Sequence, residues 1–322
     1  MTRIGLVLGA GGFAGLAFHA GVLGALAEST GWDARTADVI VGTSAGSRVG
    51  ALLRSGFEAR DFAAYEMGQR LSPTGQRLIE RMGRVPHFDP PRATALLRGP
   101  RLPSAAVLRR FLRHPWDHAG ALATSFLPDG PVSSAGFADA LRSITGTDWP
   151  TDPLWICACR ARDGERVVFG RDSDAPAVDV PTAVAASCAI PGYFAPVAVD
   201  GSRFVDGGVR SPTNLDVLAG EPLDLAIVVS PMSVARRSFG SPDVMIRRMF
   251  RLRLAQEARR VRAAGTPVVA FQPGSAEVRA LGVNAMDPNR SRWRRAVISV
   301  REATLRRLER DDLSERLGML TA

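Results

Sequence analysis

A serine stands between glycines in Gly42-Thr43-Ser44-Ala45-Gly46, directly after the apolar run Val39-Ile40-Val41. Glycines around a serine at the end of a strand permit a sharp strand-to-helix turn. That turn exposes the hydroxyl as a nucleophile, with the positive end of the next helix behind it. Upstream lies a second glycine-rich turn, with Gly9, Gly11, Gly12 and Gly15. Its backbone N–H groups could hold a developing oxyanion, each donor typically worth about 2.7–4 kcal/mol in the transition state. A serine also needs a base. In the order serine, acid, histidine of the α/β-hydrolases the base comes late, but the last histidine here is His118. Orders that place histidine first leave only His19, inside the helix that follows the glycine turn. Aspartate is the better candidate. Asp200-Gly201 separates two short β-prone runs and reads as a hairpin turn. Asp206-Gly207-Gly208 follows the second run, where the glycines turn the chain and leave the carboxylate at the strand's end. Taken alone, Asp206 also reads as one more turn aspartate.

The elements that must position these groups are visible as well. Ile4 to Leu8 and Val39 to Val41 are buried-strand runs, and helices are predicted from about Gly15 to Glu28 and from Ala45 to Arg54. Strand, glycine turn, helix, strand, helix is the order of a parallel sheet covered by helices. Leu154–Ala161 and Arg166–Gly170 flank Asp163-Gly164 and form a predicted hairpin, and Leu223–Val229 and Pro267–Phe271 are further strands. About Val244 to Ala264 is a long helix with Phe250, Leu254, Ala258 and Val261 on its core side. Arg247, Arg248, Arg251, Arg259 and Arg262 supply a basic face, suited either to an anionic membrane or to plain solvent. Residues 68–131, rich in arginine and proline and holding His87, His114 and His118, read as a mainly helical insertion. It serves either as a cap over the site or as surface decoration.

The glycine turn also invites comparison with a dinucleotide fingerprint. That fingerprint expects an acid at the end of the second strand, and the strand here ends Val41-Gly42-Thr43-Ser44. The chain's 322 residues carry a net charge of +9, and all its basic residues are arginines. No basic block interleaved with aromatics points to nucleic acid. Cys157, Cys159 and Cys188 are few and odd in number, as in a reducing compartment, and Cys157 and Cys159 share one strand face rather than forming a metal site. With neither a signal-peptide pattern nor an apolar stretch long enough to span a bilayer, the expected location is cytoplasmic, with peripheral contact to an anionic membrane.

In combination these motifs resemble the patatin-like phospholipases of bacteria. The resemblance rests on the glycine turn, on Gly42 to Gly46 with Ser44, and on Asp206-Gly207-Gly208-Val209-Arg210-Ser211-Pro212-Thr213-Asn214. It is extended by Ala186-Ser187-Cys188-Ala189-Ile190-Pro191-Gly192-Tyr193-Phe194-Ala195-Pro196 and by Asn284-Ala285-Met286-Asp287. The resemblance implies a single three-layer α/β/α domain with a mainly parallel central sheet and a Ser–Asp dyad. It implies hydrolysis of lipid acyl esters without a metal or other cofactor. Ser44 matches the nucleophile, Asp206 the base, and the N–H groups of Gly11, Gly12 and Phe13 the oxyanion hole. Many members carry a basic residue where this chain has Ala14. Transacylase or thioesterase chemistry would use the same dyad, and a lipid-binding regulatory module is the reading from another class.

Overall fold

A computed structural model of the chain describes residues 2–83, 101–235, 243–287, 289–309 and 317–318. The strands in chain order are β1 (Ile4–Leu8), β2 (Val39–Thr43), β3 (Leu154–Arg160), β4 (Arg166–Phe169), β5 (Val197–Val199), β6 (Ser202–Asp206), β7 (Leu225–Val229) and β8 (Val268–Phe271). They form one eight-stranded sheet in the order β5-β6-β3-β2-β1-β7-β8, with β4 paired to β3. The stretch β3-β2-β1-β7-β8 is parallel, while β4, β5 and β6 join antiparallel. β1, β2 and β7 are buried along their whole length. Their unbroken apolar runs reflect helices on both faces of a parallel sheet.

The helices are α1 (Gly12–Thr30), α2 (Ala45–Arg54), α3 (Ala59–Met67), α4 (Pro73–Met82), α5 (Ala105–Arg113), α6 (Pro115–Ser125) and α7 (Ala135–Thr145). They continue with α8 (Val180–Ser187), α9 (Val244–Ala263), α10 (Ser275–Leu281) and α11 (Arg290–Leu308). One core joins a sheet face to α1, α2 and α11. A second packs Leu254, Ala258 and Val261 of α9 against Val7, Val41 and Val228 on the other face. The fold is therefore α/β with helices on both faces of a mixed, mostly parallel sheet. Helix α1 is built of small residues because it is covered from two sides: a Cβ at Gly21 would come within 2.7 Å of Val300 on α11.

Both turn signals in the antiparallel region hold. Asp200 and Gly201 take φ of 46° and 71° between β5 and β6, the pair of positive values a tight hairpin turn needs. Gly164 does the same service between β3 and β4 with φ 69°. In 68–131 the described residues contribute α4, α5 and α6, while 84–100, including His87, lie outside the described residues. One detail of α9 differs from the sequence reading. Arg247 is not on the open basic face but is buried, its guanidinium bound to Asp243 at 2.5 Å and to the Pro231 carbonyl at 2.9 Å. No helix among the described residues is long and apolar enough to cross a membrane.

Candidate active site

The sheet register brings Ser44 and Asp206 together. Thr43, the last residue of β2, lies opposite Cys157 of β3, and the next residue of β3, Ala158, lies opposite Asp206 at the end of β6. Two strands of opposite direction thus finish at neighbouring positions on either side of β3, one leading to a hydroxyl and the other ending on a carboxylate. The Ser44 hydroxyl lies close enough to the Asp206 carboxyl to favour its charged form.

Ser44 has φ 53° and ψ −121°, a strained setting for a residue with a side chain, with a cost of order 1–3 kcal/mol. The surroundings over-determine it. Its N–H donates to Ser187 Oγ at 2.9 Å, and Ser187 donates onward to the Cys157 carbonyl at 2.6 Å. Its carbonyl accepts from Ser47 Oγ at 2.7 Å. Gly46 is fixed by close approach, since a Cβ there would collide with the Leu8 carbonyl oxygen; Gly42 faces the Ser47 backbone and Gly207 the Cys157 carbonyl in the same manner.

Asp206 is buried, and desolvation pushes its pKa up to about 6, opposed only in part by the nearby Ser44 hydroxyl and by a hydrogen bond from the Gly208 N–H at 2.7 Å. No cation is bonded to it among the described residues. A carboxylate with a pKa near the working pH accepts a proton far better than an ordinary aspartate near 3.9 would. Burial likewise pushes the Cys188 thiol, which lines the same crevice as Ser44, up to about 12. At neutral pH that thiol is uncharged and does not compete as a nucleophile.

The glycine turn closes the site. Gly9 N–H bonds Val229 O at 2.9 Å, Ala10 N–H bonds Pro212 O at 2.7 Å, Ala14 N–H bonds Ala285 O at 3.1 Å and Gly15 N–H bonds Gly11 O at 2.7 Å. Between these anchors the N–H groups of Gly11, Gly12 and Phe13 donate to no acceptor among the described residues. Gly12 has φ 58°, and a Cβ on it would strike Met286 and the Ala285 carbonyl. Gly12, Phe13, Leu16, Ser44 and Ala45 line a narrow crevice of about 70 Å³, completed by Arg48, Ser134, Phe137, Cys188, Ile190, Phe194 and Met286. None of its described lining residues comes from 68–131. His19 is not there either. It is fully buried, and its Nε2–H donates to the Gly9 carbonyl at 2.8 Å. Burial pulls its pKa down to about 4, so it stands as a neutral strut under the glycine turn. Among the described residues no group of three His, Cys, Asp or Glu side chains is arranged to hold a metal ion.

A family model described as patatin-like phospholipase matches residues 6–219, more than half of the chain. The chain belongs to that family. Patatin-like phospholipases are typically serine hydrolases. Two curated relatives, uncharacterized NTE family proteins of Mycobacterium tuberculosis (strain H37Rv) and Mycobacterium bovis, are each 34% identical over 113 residues. That match takes in 32% of this chain and only 30% of either relative. Among solved structures, VipD from Legionella pneumophila aligns with a TM-score of 0.45 and 14% identity, over 96% of this chain and 66% of its own. Human GIVD cytosolic phospholipase A2, solved in complex with methyl gamma-linolenyl fluorophosphonate, aligns with a TM-score of 0.35 and 12% identity, over 99% and 59%.

Several residues of this patatin-like site were not legible in the sequence. Asn214 takes an αL conformation with φ 51°, and its Nδ2 donates to Ser211 O at 2.7 Å, Thr43 Oγ1 at 3.1 Å and Gly207 O at 3.4 Å. It thereby ties the residue before Ser44 to the residue after Asp206. Arg48 is the charged side chain among the described lining residues of the crevice. It lies four residues past Ser44 on α2, its guanidinium 5.3 Å from the centre of the Phe137 ring. The i, i+4 spacing was the available signal.

Proposed function

We propose that the chain is a serine lipid acyl hydrolase working through a Ser44–Asp206 dyad and an acyl-enzyme. The observation that carries this reading is the meeting of β2 and β6 at neighbouring positions of β3, which sets Ser44 beside a buried aspartate whose pKa is lifted to about 6. Ser44 Oγ attacks the ester carbonyl carbon while Asp206 takes its proton. The N–H groups of Gly11, Gly12 and Phe13 receive the oxyanion, helped by the positive end of α1. Collapse of the tetrahedral intermediate breaks the bond to the alcohol, which leaves with the proton from Asp206. Water, deprotonated by Asp206, then attacks the acyl-enzyme, and the proton returns to Ser44 as the fatty acid departs.

The crevice is apolar apart from Arg48, Ser44, Ser134 and Cys188, which favours an acyl chain over a polar leaving group. Its volume takes only a few water-sized groups, so the rest of a long chain lies beyond its mouth. The reading calls for no metal or cofactor. Hydrolysis of a series of acyl esters, from short water-soluble ones to phospholipids, tests it. Wild type should turn over at least one class and be labelled at Ser44 by a fluorophosphonate. Ser44→Ala should abolish both, and an active Ser44→Ala protein would overturn the proposal.

A further inference from the structure

Helix α9 connects the parallel strands β7 and β8, so it runs antiparallel to them and begins at their C-terminal ends. That is the edge of the sheet where β2 delivers Ser44 and β1 delivers the glycine turn. The first turn of α9 is fastened there: Arg247 Nη1 donates to the Pro231 carbonyl, and Pro231 packs against the glycine turn, 3.0 Å from where a Gly11 Cβ would stand.

The core side of this helix is supplied by Leu254, Ala258 and Val261. The outer side ought then to be polar. Instead Met245, Ile246, Met249 and Leu252 are 66, 54, 58 and 52% exposed. Positions i, i+1, i+4 and i+7 form one stripe on a helix, so α9 has a second apolar face, bare to water, in the turns next to the site. Farther along the same side the stripe gives way to Arg259 and Arg260. Beside them Trp116, at the start of α6, is 77% exposed and shares a surface hollow with these two arginines. The helix carries seven arginines and a single acid, Glu257, which is buried with Thr213 Oγ1 donating to it at 2.7 Å. Apolar stripe, exposed tryptophan and an arginine rim without exposed acid on the helix are the components of a helix lying in a lipid headgroup layer.

We propose that the outer face of α9 docks the protein on an anionic lipid bilayer, with the Ser44 crevice at the docked end of the sheet. The choice of a lipid surface rests on the acyl-hydrolase reading above. Charge decides against a second copy of this chain, because a self-pairing of the face would set arginines against arginines, while anionic headgroups complement them.

Co-sedimentation of the full chain with vesicles tests this. Equal parts phosphatidylglycerol and phosphatidylcholine should retain the protein at low salt. Pure phosphatidylcholine, or high salt, should release most of it. The exposed quadruple variant Met245→Ser/Ile246→Ser/Met249→Ser/Leu252→Ser should partition about tenfold or more weakly, with turnover of a water-soluble short-chain ester unchanged. Retention of that variant at the wild-type level, or failure of wild type to sediment, would overturn the docking face. So would a wild-type dimer that the variant converts to monomer, or vesicle binding that appears only with an added acidic protein. Vesicle binding without any ester turnover would leave the docking face standing and remove the acyl-hydrolase reading.

Discussion

Asp206 and Asp216 lie ten residues apart in one loop-rich segment, the first buried and the second largely so, and they have opposite electrostatics. Burial raises both. At Asp206 only a hydroxyl and one backbone N–H oppose it, and the pKa reaches about 6. At Asp216 the Arg166 guanidinium, bonded at 2.6 and 3.2 Å, outweighs burial and holds the carboxyl below the usual range. Behind it a chain of partners continues: Arg260 reaches Asp216 at 3.5 Å, while Arg253 bonds Asp117 at 2.6 Å and Glu257 at 3.2 Å. The difference separates two uses of a buried carboxylate. A paired one gives the molecule a fixed shape; an unpaired one, costly to ionise, is ready to take a proton.

The largest effect expected from this contrast lies in activity. Asp206→Asn should lower kcat for ester hydrolysis by about 10³–10⁴, as loss of a base does in serine hydrolases, while the folded protein keeps its circular dichroism spectrum. In wild type, kcat/KM should fall about tenfold for each pH unit below about 6, where Asp206 takes up a proton before substrate can supply one. An acid limb centred near 4 instead would mean that Asp206 is not the group titrating.

The opposite result is expected on the paired side. Asp216→Asn leaves the partly buried Arg166 with its carboxylate partner lost and should destabilise the fold by about 2–4 kcal/mol in denaturant titrations. The protein that remains folded should keep kcat within a few-fold of wild type. A kcat loss matching that of Asp206→Asn would erase the distinction between the two carboxylates. Between these extremes sits Asn214, which belongs to both regions through Thr43, Gly207 and its contact with Arg166 at 3.2 Å. Asn214→Ala should lower kcat about 10–100-fold with little change in KM, because slight misplacement of reacting groups is that costly. Asn214→Asp, which keeps the shape but not the donor, should fail to rescue it.

The same contrast marks what the sequence alone could disclose. Gly46 and Gly207 announced themselves because backbone approaches so closely there that no other residue fits. Ser44 and Asp206 were readable through such neighbours, and Asp200 was separable from Asp206 because its hairpin turn has its own residue preference. The parallel strands were readable because both their faces are apolar. Asn214 was not, since its partners lie 171 residues upstream at Thr43 and at a loop carbonyl that no local pattern reveals. Arg247 was assigned to the open face by helical period, which cannot register a carbonyl such as that of Pro231. His19 gave no sign of its bond to Gly9, and the apolar outer stripe of α9 was hidden by the arginines interleaved with it.

The last effect expected concerns stability and carries the comparison furthest. An aspartate with a pKa of about 3.8 unfolded and about 6 folded binds its proton more tightly in the native state. Below pH 4 both states are protonated and the full favourable contribution is present. It is lost as pH rises toward and through 6, where the buried group must ionise. Asp206→Asn abolishes that loss while its side-chain oxygen still accepts from Gly208. The variant should therefore match wild type below pH 4 and exceed it by about 3 kcal/mol at pH 8, read as a shift in the urea midpoint at unchanged slope. Asp216→Asn should move stability in the opposite direction at pH 8, because its carboxylate is held below the usual range by Arg166 and stabilises the fold only while ionised. Equal signs for the two variants at pH 8 would show that burial, and not the presence or absence of an arginine, governs both sites.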